Sequence, residues 1–543
     1  MAGAIVLSLS ACGADQKENQ AEVPGTTGAP EQNDSAEASG TSEEPQDVPR
    51  DAATPVMDWE ECFKGMQKAK AYKGLNDTNP IMTQRFGADP YALVYGDRVY
   101  FYMTADAFEY DTKGEVKENS YSQIRSINVV STDDMVNFTD HGSIPVAGKD
   151  GIAKWAANSW APAAAWKEID GKPQFFLYFA NSGGGIGVLQ SDSPTGPFRD
   201  PLGKALISRE TPRCADVLWL FDPAVLVDED GSAYIYFGGG VPQDKIADPG
   251  TARVAKLGAD MISIAGEPVP IDVPYLFEDS GIHKYGNKYY YTYCTNWQVD
   301  AEGTKKYGFT NAQIACLESD SPMGPFTYKE TILENPGKYF GLYGNNHHAV
   351  FSFQDRWYIT YHTRAMEKAM GIEHGYRCTN IDEFEMGEDG TIGTIRQHAA
   401  GREQLKPVDA RQTIPAVNMA VQAGLDTIPG KEAGEMILTA IDSGDYLKVQ
   451  GVDFGETSVS GIVAAVRDAN GMTDDCCIQI YIDTLFGDVI GYLPLSGNQP
   501  CSEADEEGFT TYEAKLTGEV TGVHDLFFVF SGSGYEMKNW RFK

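Results

Sequence analysis

Three carboxylates stand at matching places in a repeated unit of this chain, a placement that could let them act on one bond. Asp222 opens the stretch WLFDPAVLVDEDGSAYIYFGGG, Trp219 to Gly240, ahead of an apolar strand, an acidic glycine turn and a strand of alternating aromatics. Alternation of period two around a glycine turn predicts an antiparallel hairpin with one buried face. Pro223 removes a backbone donor and predicts an extended conformation for Asp222. Asp89 opens the copy ADPYALVYGDRVYFYMTA and Glu278 the copy FEDSGIHKYGNKYYYTYCTN. Two more copies, SWAPAAAWKEIDGKPQFFLYFAN and NNHHAVFSFQDRWYITYHTR, carry Trp160 and His347. A protonated carboxyl and an ionised one, drawn from different copies, make an acid–base pair. An aspartate before proline is by itself a common turn opener; two at the same place, with a third carboxylate in phase, point to function. Glu278 adjoins Asp279, and because strand neighbours face opposite ways the residues alone leave those two as equal candidates for the acid.

The elements that must position these side chains follow from the spacing. The five marked residues lie 56 to 71 residues apart. Five hairpins, each opening on a polar or aromatic residue, predict an all-β, five-bladed propeller aiming those residues at one axis. A second repeat, SDSPTGPF at Ser191 and SDSPMGPF at Ser319, with a looser version STDDMVNFTDHG at Ser131, falls where outer strands belong. Helical signals are few, and a short one lies just before this region, at Trp59 to Tyr72. The glycines of NSGGGIG, Asn181 to Gly187, have no helix pattern after them and read as a turn rather than a phosphate loop. From Arg411 the short strands DYLKVQGVDF, SGIVAAVRDA, CIQIYID and HDLFFVFSG predict an antiparallel β-sandwich after a linker, KPVDARQTIP. The expected domains are a propeller over 56–405 and a sandwich over 406–543.

The ends and the composition narrow the function class. Gly3 to Leu9 is apolar and Leu9-Ser10-Ala11-Cys12 resembles a bacterial lipobox, although the basic residues expected before a signal core are missing. Residues 1–12 are therefore expected to be a signal remnant with Cys12 as a lipid anchor, the chain's link to a membrane, at the surface of a bacterium. Residues 13–55, rich in Gly, Ser, Thr, Glu and Pro, read as a solvated tether. A net charge of −35 excludes nucleic acid and polyanions as partners and suits a secreted protein acting on a neutral polymer. The cysteines show no CxxC pair, and adjacent Cys476 and Cys477 predict buried free thiols, so zinc and thiol catalysis are not expected.

Taken together, NPIMTQRFGADP, SWAP, the FDP strand, FEDSGIHK and NNHHAV resemble glycoside hydrolase family 43 over about residues 78–400. The resemblance implies a propeller enzyme that removes arabinose or xylose from plant hemicellulose. In the tail, GVDFG, DTLFGDVIG and TGVHDLFFVF resemble a family 6 carbohydrate-binding module. Carried onto this chain, the first resemblance makes Asp89 the general base, Glu278 the general acid and Asp222 the carboxylate that raises the acid's pKa. Hydrolysis with inversion places the acid and base ~6.5–9.5 Å apart, leaving room for water. The same resemblance places a calcium ion near His347, held largely through water since calcium prefers oxygen; otherwise His347 is a core histidine. Trp160 and Phe221 are candidates for sugar stacking or for the core, and Arg377 for a hydroxyl contact or a plain surface arginine. In the tail, Phe509 and Tyr446 stand near expected aromatic positions, Glu536 replaces an asparagine, and Gly424 stands where a calcium-binding glutamate is expected. The module is therefore expected to keep its fold and to brace the propeller rather than bind sugar. The chain is expected to be a monomeric inverting hydrolase that releases α-L-arabinofuranose from arabinoxylan without an organic cofactor. The rivals are a β-xylosidase, a dual-activity enzyme or a non-catalytic glycan-binding lipoprotein. A fructan-processing enzyme would carry an Asn-Asp-Pro-Asn-Gly motif, which the chain lacks.

Overall fold

The computed structural model describes residues 57–543; Cys12, the signal remnant and the 13–55 tether lie outside them. All five predicted hairpins form, each the start of an antiparallel sheet. The first sheet runs Ala88–Tyr95, Arg98–Thr104, Ser126–Thr132 and Phe138–Pro145. The second is Trp160–Ile169, Lys172–Ala180 and Ile186–Ser191. The third is Ala224–Val227, Ala233–Phe237, Ala252–Leu257 and Val269–Ile271. The fourth is Leu276–Tyr285, Lys288–Thr295, Ile314–Ser319 and Thr327–Leu333. The fifth is His348–Phe353, Arg356–Thr363 and Cys378–Phe384. No single sheet closes on itself. The opening strands of consecutive sheets touch one another, and that of the fifth touches that of the first.

Apolar faces of neighbouring sheets pack together, as Phe176 and Tyr178 of the second sheet do with Ile235 and Phe237 of the third. The SDSP repeats follow the third strands of the second and fourth sheets. Each presents a carbonyl to a buried tyrosine of the preceding sheet: Tyr102 to Pro194 and Tyr236 to Pro322, both at 2.6 Å. That shared bond is a physical reason for the repeat.

The tail forms two six-stranded sheets around one core that includes Leu447, Ile462, Phe528 and Trp540. The expected linker is built into them instead of running free. Val408–Asp409 pairs with Val452–Asp453, and Ile414–Pro415 with Asn539–Trp540. Asn418–Met419 then pairs with Phe138–Thr139 and becomes the fifth strand of the first sheet. Beside it, Thr427 donates to Asp140 at 2.7 Å and accepts from Arg85 at 2.8 Å, while Asn137 and Gln450 exchange two hydrogen bonds. Cys476 and Cys477 are buried free thiols.

The helix expected over Trp59 to Tyr72 is a single turn, Trp59–Phe63, capped by the Asp58 side chain. It ends because Lys64 is extended and Gly65 is left-handed at φ +73°. The chain beyond lies along the sandwich, where Ala69 donates to the Gly444 carbonyl and Phe63 packs with Tyr446 and Phe527.

Candidate active site

A local irregularity aims the site residues. In the first sheet Ala88 pairs with Thr104 but Tyr91 with Tyr102, so three steps on one strand match two on the other. Trp160 to Ala163 and Glu278 to Gly281 show the same slip. In the third sheet Gly238 donates to the Phe221 carbonyl while Ala224 pairs with Tyr236. A bulge of this kind bends the strand and redirects its side chains. Its second residue is left-handed in all four sheets: Asp89 at φ +47°, Ala161 at +32°, Asp222 at +50° and Asp279 at +67°. The extended conformation expected of Asp222 is therefore wrong. Among non-glycine residues aspartate tolerates this region comparatively well.

The register also corrects the phase of the marked residues. Asp89 and Asp222 are equivalent to Asp279, whereas Glu278 is equivalent to Trp160, Phe221 and Ala88, one residue earlier. Strict alternation does not hold in the bulge, so both Glu278 and Asp279 are buried at the same centre. Gly239 permits this. A Cβ there would come within 2.8 Å of the Phe277 carbonyl and 3.3 Å of the Glu278 Cα.

His347 is the hub. Its Nδ1 lies 3.7 Å from Asp89 Oδ1 and 3.9 Å from Asp222 Oδ2, and its Nε2 lies 3.2 Å from Asp279 Oδ1. Asp89, Asp222, Glu278, Asp279 and His347 are all buried. Burial opposes ionisation of Asp89, but Arg377, 2.9 Å away, with help from His362 and His347, holds that carboxyl well below the usual range. Burial is also the largest influence on Glu278; Asp89 and Asp279 add to it, and Glu278 is pushed up to about 8. Asp222 is raised as well, by burial and then by Glu278 and Asp89. Asp89 and Asp279 raise Glu278, and Glu278 and Asp89 raise Asp222, so Asp222 and Glu278 act as a pair that retains a proton near neutrality. The Asp222 carboxylate accepts the Asp279 N–H at 2.9 Å, which favours its ionised form. Glu278 Oε1 has no hydrogen-bond partner. Burial lowers the pKa of His347 despite Asp279 and Asp89, leaving the imidazole neutral.

Arg377 is not a surface residue. It is buried, and its Nε and Nη2 donate to Asp106 at 2.9 and 2.8 Å. Its guanidinium lies 4.9 Å from the centre of the Tyr121 ring. Trp160 is half-buried, edge-on to Tyr121, and its Nε1 donates to the Tyr121 carbonyl at 3.0 Å. Phe221 is buried against Trp219, which also meets Phe277 edge-on. Asp106, Tyr121, Trp219 and His362 were not singled out from the sequence; Asp279 was, by its adjacency to Glu278. His362 Nδ1 sits 3.1 Å from both Asp89 Oδ1 and the Asp89 backbone nitrogen, and its Nε2 lies 2.7 Å from the Asn345 carbonyl. His348, bonded to Asp279 at 2.5 Å and Thr292 at 2.7 Å, is fully used inside the protein.

The tail positions are equally explicit. Phe509 is buried, with the Arg467 guanidinium 4.6 Å and the Lys538 ammonium 5.4 Å from its ring centre. Glu536 is buried, 2.6 Å from Arg467 and 2.9 Å from Thr439. Tyr446 is buried beneath the N-terminal segment. Gly424 is left-handed, and a Cβ there would collide with Asp445, which excludes the expected glutamate.

With the geometry in place, comparison with known proteins is informative. The sequence profile "Glycosyl hydrolases family 43" matches residues 77–392, and "Carbohydrate binding module (family 6)" matches residues 415–543. The chain is 46% identical over 476 residues to an arabinoxylan arabinofuranohydrolase of Paenibacillus polymyxa, covering 84% of this chain and 72% of that one. It is 43% identical over 491 residues to an arabinoxylan arabinofuranohydrolase of Bacillus subtilis (strain 168), covering 87% and 93%. The crystal structure of a glycoside hydrolase family 43 arabinoxylan arabinofuranohydrolase from Bacillus subtilis in complex with cellotetraose superposes with a TM-score of 0.81 at 42% identity, over 88% of this chain and 99% of that one.

Proposed function

The chain belongs to glycosyl hydrolases family 43, and from that premise we propose that it releases α-L-arabinofuranosyl residues from arabinoxylan, acting at chain ends or branches with inversion. One observation carries the reading: around His347, Arg377 at 2.9 Å holds the Asp89 carboxyl low, while burial and neighbouring charge raise Glu278 and Asp222. That is the division of labour an inverting hydrolase requires. Asp89, ionised, takes a proton from the attacking water. Glu278, protonated and with Oε1 free, gives its proton to the leaving glycosidic oxygen. Asp222 shares the proton equilibrium with Glu278 and fixes the bulge through the Asp279 N–H. His347, neutral, offers nitrogen to the sugar without drawing charge from Asp89. A binding protein has no use for an acid and a base poised in opposite states, which argues against the non-catalytic reading.

We read the five sheets as blades of a propeller; the circuit of contacts among their opening strands supports this. The bulged starts of those strands would then line its central pit. A calcium ion beside His347 is a further part of the proposal. Asp279 Oδ1, 3.2 Å from His347 Nε2, lacks a hydrogen-bond partner, and is the hard oxygen such an ion prefers. No three His, Cys, Asp or Glu side chains converge as ligands among the described residues; in this proposal the ion would be held mainly through water, with His347 at its edge. Such an ion would add positive charge beside the sugar. Attachment to the cell surface through Cys12 belongs to the same proposal.

The test is parallel incubation with aryl α-L-arabinofuranoside, aryl β-D-xyloside and arabinoxylan, followed by NMR of the released sugar. Arabinose released first as the inverted anomer is expected. Xylose as the main product, or retention at the anomeric carbon, overturns the reading.

A further inference from the structure

Beyond the acid–base pair, Asp106 stands out as a buried charge that touches no candidate reacting atom. It follows the first sheet's second strand, Arg98–Thr104, and is buried. Its two oxygens accept from Arg377 three times: Nε at 2.9 Å and the backbone N–H at 3.1 Å on Oδ2, and Nη2 at 2.8 Å on Oδ1. A two-pronged grip of this kind orients a planar guanidinium as well as neutralising it. One edge of Arg377 is thereby occupied, and Tyr121 covers a face. Only Nη1 reaches the neighbouring aspartate, at 2.9 Å from Asp89 Oδ1. Asp89 Oδ1 also lies near His362 and His347, whereas none of these contacts engages Oδ2.

We propose that Asp106 is a positioning residue for hydrolysis: by holding Arg377 side-on it limits that arginine to one oxygen of Asp89 and keeps Oδ2 available for the attacking water. Without Asp106, Arg377 would have Asp89 as its nearest remaining carboxylate partner. It could then turn to grip both Asp89 oxygens, and the base would be lost to a salt bridge. The inference rests on Asp89 acting as the base.

The experiment compares D106N, R377M and the double variant D106N/R377M in the full chain, on aryl α-L-arabinofuranoside. Each is checked for folding by circular dichroism and thermal melting, with D89N as the control for the base. D106N is expected to lower kcat by about 10- to 100-fold, the scale of a small misplacement of reacting groups, with KM within about twofold. Because Asp106 acts through Arg377, the double variant is expected to match R377M in kcat. It also removes both buried charges together, so it remains informative if D106N alone fails to fold. Unchanged kcat in D106N, or a further loss in the double variant beyond R377M, overturns the inference. An active D89N would instead remove the base assignment itself, which separates failure of this inference from failure of the proposed function.

Discussion

Around His347 and around Phe509 the chain gathers the same kinds of side chain: carboxylates, an arginine and aromatics. The two clusters differ in what they leave unpaired. At His347, Glu278 Oε1 and Asp279 Oδ1 are buried without hydrogen-bond partners. At Phe509, Glu536 is bound by Arg467 and Thr439, Lys538 bridges Glu435 and Glu507, and the aromatic ring lies under two cations. A buried polar atom with no partner is expensive to keep, and a ligand that supplies one gains what the protein forgoes. The first cluster is thus prepared for a polar substrate. The second pairs its charged groups with one another.

The contrast can be broken most directly at its reactive end. Glu278→Gln should lower turnover of arabinoxylan oligosaccharides by about 10²- to 10⁴-fold, the usual contribution of a positioned acid, while calorimetry still shows oligosaccharide binding. Near-normal turnover would remove Glu278 from the chemistry. The wild-type pH profile sharpens the same point. Glu278 must hold its proton to act, so kcat/KM should be sustained below its raised pKa and fall as pH climbs through about 8. Asp222→Asn removes a negative charge from the pair and should move that basic limb toward lower pH; a limb that stays in place would show the two carboxyls to be independent.

The sandwich end yields smaller effects of another kind. Phe509→Ala should destabilise the chain by about 3–5 kcal/mol, as for other buried phenylalanines, read from denaturant unfolding. Its affinity for arabinoxylan should not change. A drop in affinity without loss of stability would show that Phe509 meets sugar after all. Smaller still, Thr427→Val removes one bond each to Asp140 and Arg85 at the junction and should cost about 1 kcal/mol of stability, leaving kcat as it was.

Much of this molecule could be read from local pattern. Alternation marked all five hairpins, with a glycine turn in four of them and Gln354-Asp355 in the fifth, and the turn chemistry in the two SDSP repeats marked the ends of third strands. Asp89 and Asp222 were visible because an aspartate before proline recurred at one place in the unit. Glu278 was visible too, but its phase was not. A bulge is an event between two strands, and a single strand's sequence records only the residues that permit it. Arg377 was noticed and misplaced for a similar reason: its partner Asp106 lies 271 residues away, and nothing near either residue announces the pair. The helix expected over Trp59 to Tyr72 failed where packing on the sandwich prevailed over a short local preference.

By itself, then, the order of residues determined the strand class, the number of repeats and the three carboxylates proposed for the chemistry, because backbone alternation and turn geometry act over a few neighbours. Tertiary structure alone decided in which direction each carboxyl's proton affinity is moved. That choice depends on burial and on charges arriving from other sheets, and electrostatic interaction follows distance in space rather than distance along the chain.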